Sequence, residues 1–443
     1  MKHNFTRLCC LFIGGTLLLV TIGCHKHNDV VTPPITTAPA NGGKDTITLG
    51  ATVTLAAATT TTKGSTFSWT VNGTAASTDT TFAFTPTARG DYAVVYTVTN
   101  TGGSSTQDFS VHVYGKYENG FFIANEGNYG AGSGTLSFFR YDTQTKEDSV
   151  YTKVNAGADL GPNTSSLEFG TVYNNKVYLL TKAGGPLIQA DAYSLKETGR
   201  ISTGSNNDFR ALLPIDTTKA LVSTGNGIFP LNLQTVTLGA AVAAVTGEVQ
   251  DMVSSGNYIF VLSVNDGLDI LNASDLSLAK TIPTVQLGFA KAMDGSIWAA
   301  GGTNDSMLIK IDPTTLDTTN VALPFEVNGS LYYWHPGSIT ASTKENAIFL
   351  AYNGAYAGGT TIYKYTVGSS AFPTTPFINI GSANALYGAG VAYDHQNDQL
   401  VVTSVQSANY GANDLAFYAA LTGVSITDQS YSGFFFPAIP FFH

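Results

Sequence analysis

The sequence predicts an all-β protein, a small N-terminal β-sandwich followed by a seven-bladed β-propeller closed by its C-terminal strand. Three observations lead there. The stretch Val249–Thr284 holds four strand-length apolar runs in succession: Val249–Val253, Tyr258–Val264, Leu268–Leu271 and Leu278–Ile282. Gly, Asn, Asp and Ser separate them, and these residues tolerate tight turns. The same unit recurs at a mean spacing of about 44 residues, inside the range of propeller repeats. Charged residues make up only 12% of the 443, against 46 glycines and 11% aromatics, a turn-rich β composition rather than a disordered one.

Lys2 and Arg7 precede an apolar run, Leu8–Val20, too short for a comfortable membrane span and suited to an export signal. The run ends in Thr21-Ile22-Gly23-Cys24, which resembles a bacterial lipobox. That resemblance implies removal of residues 1–23 and lipidation of Cys24. The only other cysteines, Cys9 and Cys10, would leave with the signal, so the folded body needs neither disulfide nor cysteine-ligated metal. Residues 24–44 read as a tether, with Thr, Pro and Ala dominating Asp29–Lys44.

Residues 45–115 alternate apolar and polar side chains, with turn residues about every 8–12 positions, the pattern of a β-sandwich. Trp69 in the strand FSWTVNG and Tyr92 in Gly90-Asp91-Tyr92 resemble the core tryptophan and corner tyrosine of PKD and Ig-like domains. The resemblance implies a spacer module.

The propeller is expected over 117–443. Its strands are named A to D from the axis outward, and Val249–Thr284 forms blade 4. Blade 2 starts near Leu167, with B at Lys176–Thr181, C at Leu187–Tyr193 and D at Thr198–Ser202. Blade 3 starts at Phe209, with B at Ala220–Ser223 and C at Ile228–Leu231. Blade 5 starts near Leu287, with B at Ser296–Ala300 and C at Met307–Ile311. Blade 6 starts near Ser338, with B at Ala347–Tyr352 and C at Thr361–Tyr365. Blade 7 starts near Gly388, with B at Gln399–Ser404 and C at Leu415–Ala420. Blade 1 offers B at Gly120–Asn125, C at Thr135–Tyr141 and D at Ser149–Val154, but no A strand. The unused C-terminal stretch Phe434–Phe442 is expected to supply it, which removes an open sheet edge. Its prolines are tolerable in an innermost strand with one unpaired side.

The segment Ile123-Ala124-Asn125-Glu126-Gly127-Asn128-Tyr129-Gly130, followed by Gly134–Phe139, resembles the YncE-like seven-bladed propeller lipoproteins of Bacteroidota. That group includes surface proteins that bind vitamin B12 and cap a TonB-dependent outer-membrane transporter. The resemblance implies an outer-membrane lipoprotein that is surface-exposed or periplasm-facing. The membrane would be touched through the lipid anchor alone.

In a propeller the B–C and D–A loops open on one face. Three B–C loops are long and carry one tyrosine each: Glu126–Gly134 with Tyr129, Asn353–Gly359 with Tyr356, and Gln406–Asp414 with Tyr410. The D–A connections add Asp208, Phe209, Arg210, Asp251, Trp334, His335 and Tyr387. With Asn125, Glu126 and Asn128 these are the candidate ligand contacts. Amphipathic rings beside amides and carboxylates suit a corrinoid, a glycan or a peptide loop. Arg210 is also expected to pair with Asp208.

The formal net charge of −10, with 21 Lys+Arg, provides no footprint for nucleic acid. No catalytic motif is present, and His112, His335, His395 and His443 show no metal-ligand spacing. Neither a cofactor nor a metal is expected. Carboxylates from different blades (Glu126, Glu168, Asp208, Asp251, Asp305) could still converge as in a hydrolase or lyase, so binding protein, adhesive surface protein and enzyme remain distinct readings.

Overall fold

The structure is a computed structural model that describes residues 31–60, 63–284, 286–301, 306–325, 327, 336–352, 359–432 and 436–443. Cys24 and the leader lie outside the described residues. Two compact units emerge, with the chain from Val113 to His443 wholly in the second.

In the first unit a five-stranded sheet has the order Lys44–Thr48, Gly103–Tyr114, Gly90–Asn100, Thr66–Val71, Thr74–Ser77. Val53–Ala56 pairs with Thr81–Phe84 in a second, two-stranded sheet. Trp69 is fully buried, its ring against Tyr96, Phe109 and Phe82 with centroids 4.6, 5.5 and 5.7 Å away. Its indole N–H donates to the Asp79 carbonyl at 2.9 Å, so the one polar atom of the ring is satisfied.

The second unit contains seven four-stranded antiparallel sheets among the described residues. Six are built from contiguous chain. Their A strands are Ser166–Tyr173, Phe209–Asp216, Val249–Ser255, Gln286–Lys291, Ile339–Ala341 and Asn384–Asp394. Each B strand reads as an almost unbroken apolar run because neighbouring blades cover both of its faces. Ile259, Phe260, Val261 and Leu262 in blade 4, for example, are all buried. Phe260 and Leu262 pack toward blade 5, Ile259 and Val261 toward blade 3. Seven such apolar layers, one per blade interface, hold the ring together.

Blade 1 is assembled from both ends of this unit. Pro437–Phe442 pairs antiparallel with Gly120–Asn125, in the register Phe121↔Phe442, Phe122↔Phe441 and Ile123↔Pro440. The two paired phenylalanine couples have ring centroids 5.3 Å apart. Glycines on both sides admit this strand. A Cβ on Gly170 of blade 2 would lie 2.1 Å from the Phe441 ring, and one on Gly388 of blade 7 would lie 2.2 Å from the Ala438 carbonyl. His443 Nε2 sits 2.6 Å from the Tyr117 carbonyl oxygen, where the chain enters the ring.

Two expectations need correction. Ser149–Val154 is not the outer strand of blade 1. Thr145–Glu147 takes that place, and Val150–Val154 is a single helical turn. Val150 and Tyr151 plug the layer between blades 1 and 2, which an outer strand could not reach. In blade 7 the supposed loop Gln406–Asp414 is largely strand: B is Gln399–Gln406, C is Asn409–Ala419, and Ser404↔Asp414 and Val405↔Asn413 continue the ladder. Backbone pairing holds these polar residues in a sheet, a bond that hydropathy does not register.

One local device repeats around the ring. Leu195, Val236, Leu276 and Leu316 follow the C strands of blades 2 to 5 with φ of 59, 52, 60 and 60°, a left-handed conformation unusual for such residues. In each case the N–H donates four residues back to a carbonyl, at 2.8–2.9 Å, from Asp191, Asn232, Asn272 and Asp312. The Oδ1 atoms of Asp191, Asn232 and Asp312 also accept backbone N–H groups inside the same turn.

Candidate binding site

The innermost strands carry a recurrent irregularity at the end that meets the D–A loops. The ladder between A and B slips around Glu168 in blade 2, Arg210-Ala211 in blade 3, Gln250-Asp251 in blade 4, Leu287 in blade 5 and Tyr387–Gly390 in blade 7. In blade 1 the same slip falls at Ala438. A β-bulge breaks the alternation of a strand and re-aims its side chains. In blades 2, 3, 4 and 7 the slipped residues include charged or aromatic groups, Glu168, Arg210, Asp251 and Tyr387.

The residues so presented form a continuous polar cluster. Asn125 ends the B strand of blade 1, and the N–H of Glu126 then donates to the Phe436 carbonyl at 2.8 Å. Tyr387 packs against Phe436 with its ring tilted by 30° and centroids 4.7 Å apart, and its hydroxyl donates to Glu126 Oε2 at 3.2 Å. Glu168 is fully buried, and Lys182 Nζ lies 2.6 Å from its Oε1. Arg210 is also buried and bridges two acids, Asp208 at 3.0 Å and Glu248 at 2.5 Å.

Burial, then the negative charge of Glu168, holds the Glu126 carboxyl well above the usual carboxylate range. Burial raises Glu168 as well, against the Lys182 ammonium beside it. For Lys182, burial pulls downward but the two glutamates outweigh it and raise its pKa. Tyr387 is raised by burial and by the same two acids. Glu126 keeps partial solvent access within this enclosure. Asp251 is pushed up to about 6 by burial, against N–H donors from Met252 and Phe289.

The candidate residues therefore separate. Glu126, Asp208, Arg210 and Tyr387 come together in the cluster, and Asp251 occupies the equivalent bulge of blade 4. Asn125 is instead a strut: it is 1% exposed and donates to Ser137 Oγ at 3.1 Å. Phe209 is a correction, because it is 2% exposed and lies in the apolar layer between blades 2 and 3, beyond the reach of a ligand. Asn128 closes a tight turn, its carbonyl accepting from Ala131 and Gly132. Tyr129, on that turn, is 71% exposed. Tyr410 lies in a strand, and its side chain is outside the described residues, as are Trp334, His335 and Tyr356. Lys182 and Glu248 were missing from the candidate set. Their signal was positional: each directly borders an apolar strand, Lys182 at the end of B in blade 2 and Glu248 just before A in blade 4.

Fold and mouth together define a closed seven-bladed propeller with a charged, bulge-lined axial opening. Residues 119–443 match the family described as domain of unknown function (DUF5074), and the chain belongs to that family. No curated protein matches it. Among solved structures it is similar to a quinonprotein alcohol dehydrogenase-like protein from Bacteroides thetaiotaomicron. That match has 20% identity and a TM-score of 0.62, covering 92% of this chain and 99% of the other. It is also similar to a chain of the mitotic checkpoint complex, with 11% identity and a TM-score of 0.51, covering 68% of this chain and 86% of the other. At these identities the likeness is one of fold.

Proposed function

We propose that this chain is a lipid-anchored binding protein of the cell envelope. In this reading the propeller mouth captures a small polar nutrient, corrinoid- or glycan-like, or docks on a TonB-dependent outer-membrane transporter. The β-sandwich is the PKD/Ig-like spacer that holds the ring off the outer membrane, at the cell surface or facing the periplasm. The observation that carries the reading is the mouth itself. Six ionisable side chains (Glu126, Glu168, Lys182, Asp208, Arg210 and Glu248) gather there, four of them (Glu168, Asp208, Arg210 and Glu248) on or directly before bulged A strands. Buried charge is costly to stability, and apolar side chains would close an inert ring more cheaply. Such clusters concentrate at functional sites. The lipid anchor and the transporter rest on the lipobox-like Cys24 and on the blade 1 resemblance.

The test is thermal unfolding with cyanocobalamin and with neutral oligosaccharides, joined to co-purification from an outer-membrane extract. A bound ligand at a hundredfold excess over Kd should stabilise the protein by about 2.7 kcal/mol. Absence of any shift, with no barrel protein recovered, would reject the reading. Turnover of an oligosaccharide that disappears in Glu126→Gln would replace it with an enzyme.

A further inference from the structure

A second polar site adjoins the mouth on the same loop face and shares Asp208 with it. It is a cleft of about 590 Å³ between blades 2 and 3, bounded by the loops at 162–164, 183–184, 203–208 and 226. That volume falls within the range of small-molecule sites, roughly 300–1,000 Å³. Backbone bonds fix its floor: Gly184 N–H donates to Asn207 at 2.7 Å, and Gly204 N–H to Gly184 at 3.1 Å. The lining is hydroxyl and amide. Among the described residues, the side chains of Thr164, Thr203, Ser205, Asn206 and Asn226 make no hydrogen bond to protein. Asp208 is the only charge in the lining. It is held by Arg210 at 3.0 Å and by the Ala183 N–H at 3.3 Å, which fixes its orientation.

An exposed aromatic residue lies on a turn bonded to the cleft edge. Gly130 N–H donates to the Asn163 carbonyl at 2.7 Å, and Asn163 Nδ2 donates back to Gly130 at 3.1 Å. Asn163 sits between the lining residues Pro162 and Thr164, so this pair of hydrogen bonds ties the Tyr129 turn to the cleft edge. Tyr129 itself is 71% exposed and, among the described residues, packs against no other ring. From this juxtaposition we infer that the cleft is a carbohydrate site, taking a neutral oligosaccharide. Tyr129 stacks on the apolar face of one sugar ring, and Asp208 with the neighbouring amides and hydroxyls bonds its hydroxyl groups. A sugar presents that pairing of a C–H face with a ring of hydroxyls. The near-absence of charge in the lining disfavours an ionic ligand.

The inference rests on the binding-protein reading but moves the ligand from the axis to the blade 2/3 cleft. Calorimetric titration of the full folded chain with maltoheptaose, laminarihexaose, cellohexaose and mannohexaose tests it, alongside Tyr129→Ala, Asn206→Ala and Glu126→Gln. At least one oligosaccharide should bind. Tyr129→Ala should weaken it about tenfold, the size of one lost aromatic face. Asn206→Ala should weaken it less, with melting of both variants near that of the parent. Oligosaccharide binding that ignores Tyr129→Ala but vanishes in Glu126→Gln overturns the cleft and leaves the axial reading intact. Binding of cyanocobalamin with no oligosaccharide does the same. A chain that binds none of the oligosaccharides overturns the cleft alone, and the binding-protein reading then falls only if no barrel protein is recovered either.

Discussion

The seam and the mouth of blade 1 are separated by a single peptide bond, yet they are built on opposite principles. In the seam, Gly120–Asn125 and Pro437–Phe442 exchange backbone bonds and bury Phe121, Phe122 and Phe441. At the mouth, from Glu126 onward, burial is spent on carboxylates and an ammonium. The first arrangement lowers free energy and the second raises it. The Glu126 N–H bonded to Phe436 joins them, so the strand that closes the ring also fixes the backbone of the acid at its centre. Stability and site geometry thus share one hinge point in the chain.

The largest expected effect comes from removing the seam. Deleting residues 434–443 opens the inner edge of blade 1 and strips the Tyr387–Phe436 ring contact and the Glu126 backbone bond together. The loss should exceed the typical margin of about 5–15 kcal/mol for a folded domain, so no cooperative monomer should survive in gel filtration and thermal melting. A monomer with unchanged melting would separate seam from stability and break the contrast.

A smaller effect should follow from unbalancing the mouth. Lys182→Met leaves the wholly buried Glu168 without its ammonium, at a cost of about 3–5 kcal/mol at neutral pH in denaturant unfolding. The double variant Glu168→Gln with Lys182→Met should recover most of that loss. If it does not, the pair contributes to the seam-like packing rather than to the mouth.

The smallest expected effect is the pH response of Asp251. Its folded pKa of about 6 lies above the ordinary 3.8. A raised acid favours the folded state fully below about pH 4, and that contribution is lost as pH rises through 6. The amount is on the order of 3 kcal/mol. Asp251→Asn keeps an acceptor for the Met252 N–H, so it should flatten the stability profile between pH 4 and 6 and gain stability at neutral pH. An unchanged slope would mean that the axial opening is as wet as bulk solvent.

The same contrast explains what the sequence disclosed. Blades were legible because their B strands are unbroken apolar runs at a steady interval, and the missing A strand of blade 1 pointed to Phe434–Phe442. The mouth was legible only in part. Glu126, Asp208, Arg210 and Tyr387 could be placed at the correct end of their strands. The bulges that turn Glu168, Arg210, Asp251 and Tyr387 into place depend on ladder register, a property of two strands at once. Phe209 went astray for that reason: it stands one residue before the slip in blade 3 and so faces the packing layer, while Arg210 faces the opening. The extended hairpin of blade 7 escaped notice because its polar residues are held by backbone pairing rather than by hydrophobicity.

The meeting of His443 with Tyr117 has a consequence for how such a ring can be used. Entry and exit points that touch behave like the two feet of a handle. The whole ring could be grafted into a surface loop of a host protein, or restarted at another blade boundary with a short joining peptide. The remaining circumference would not have to yield.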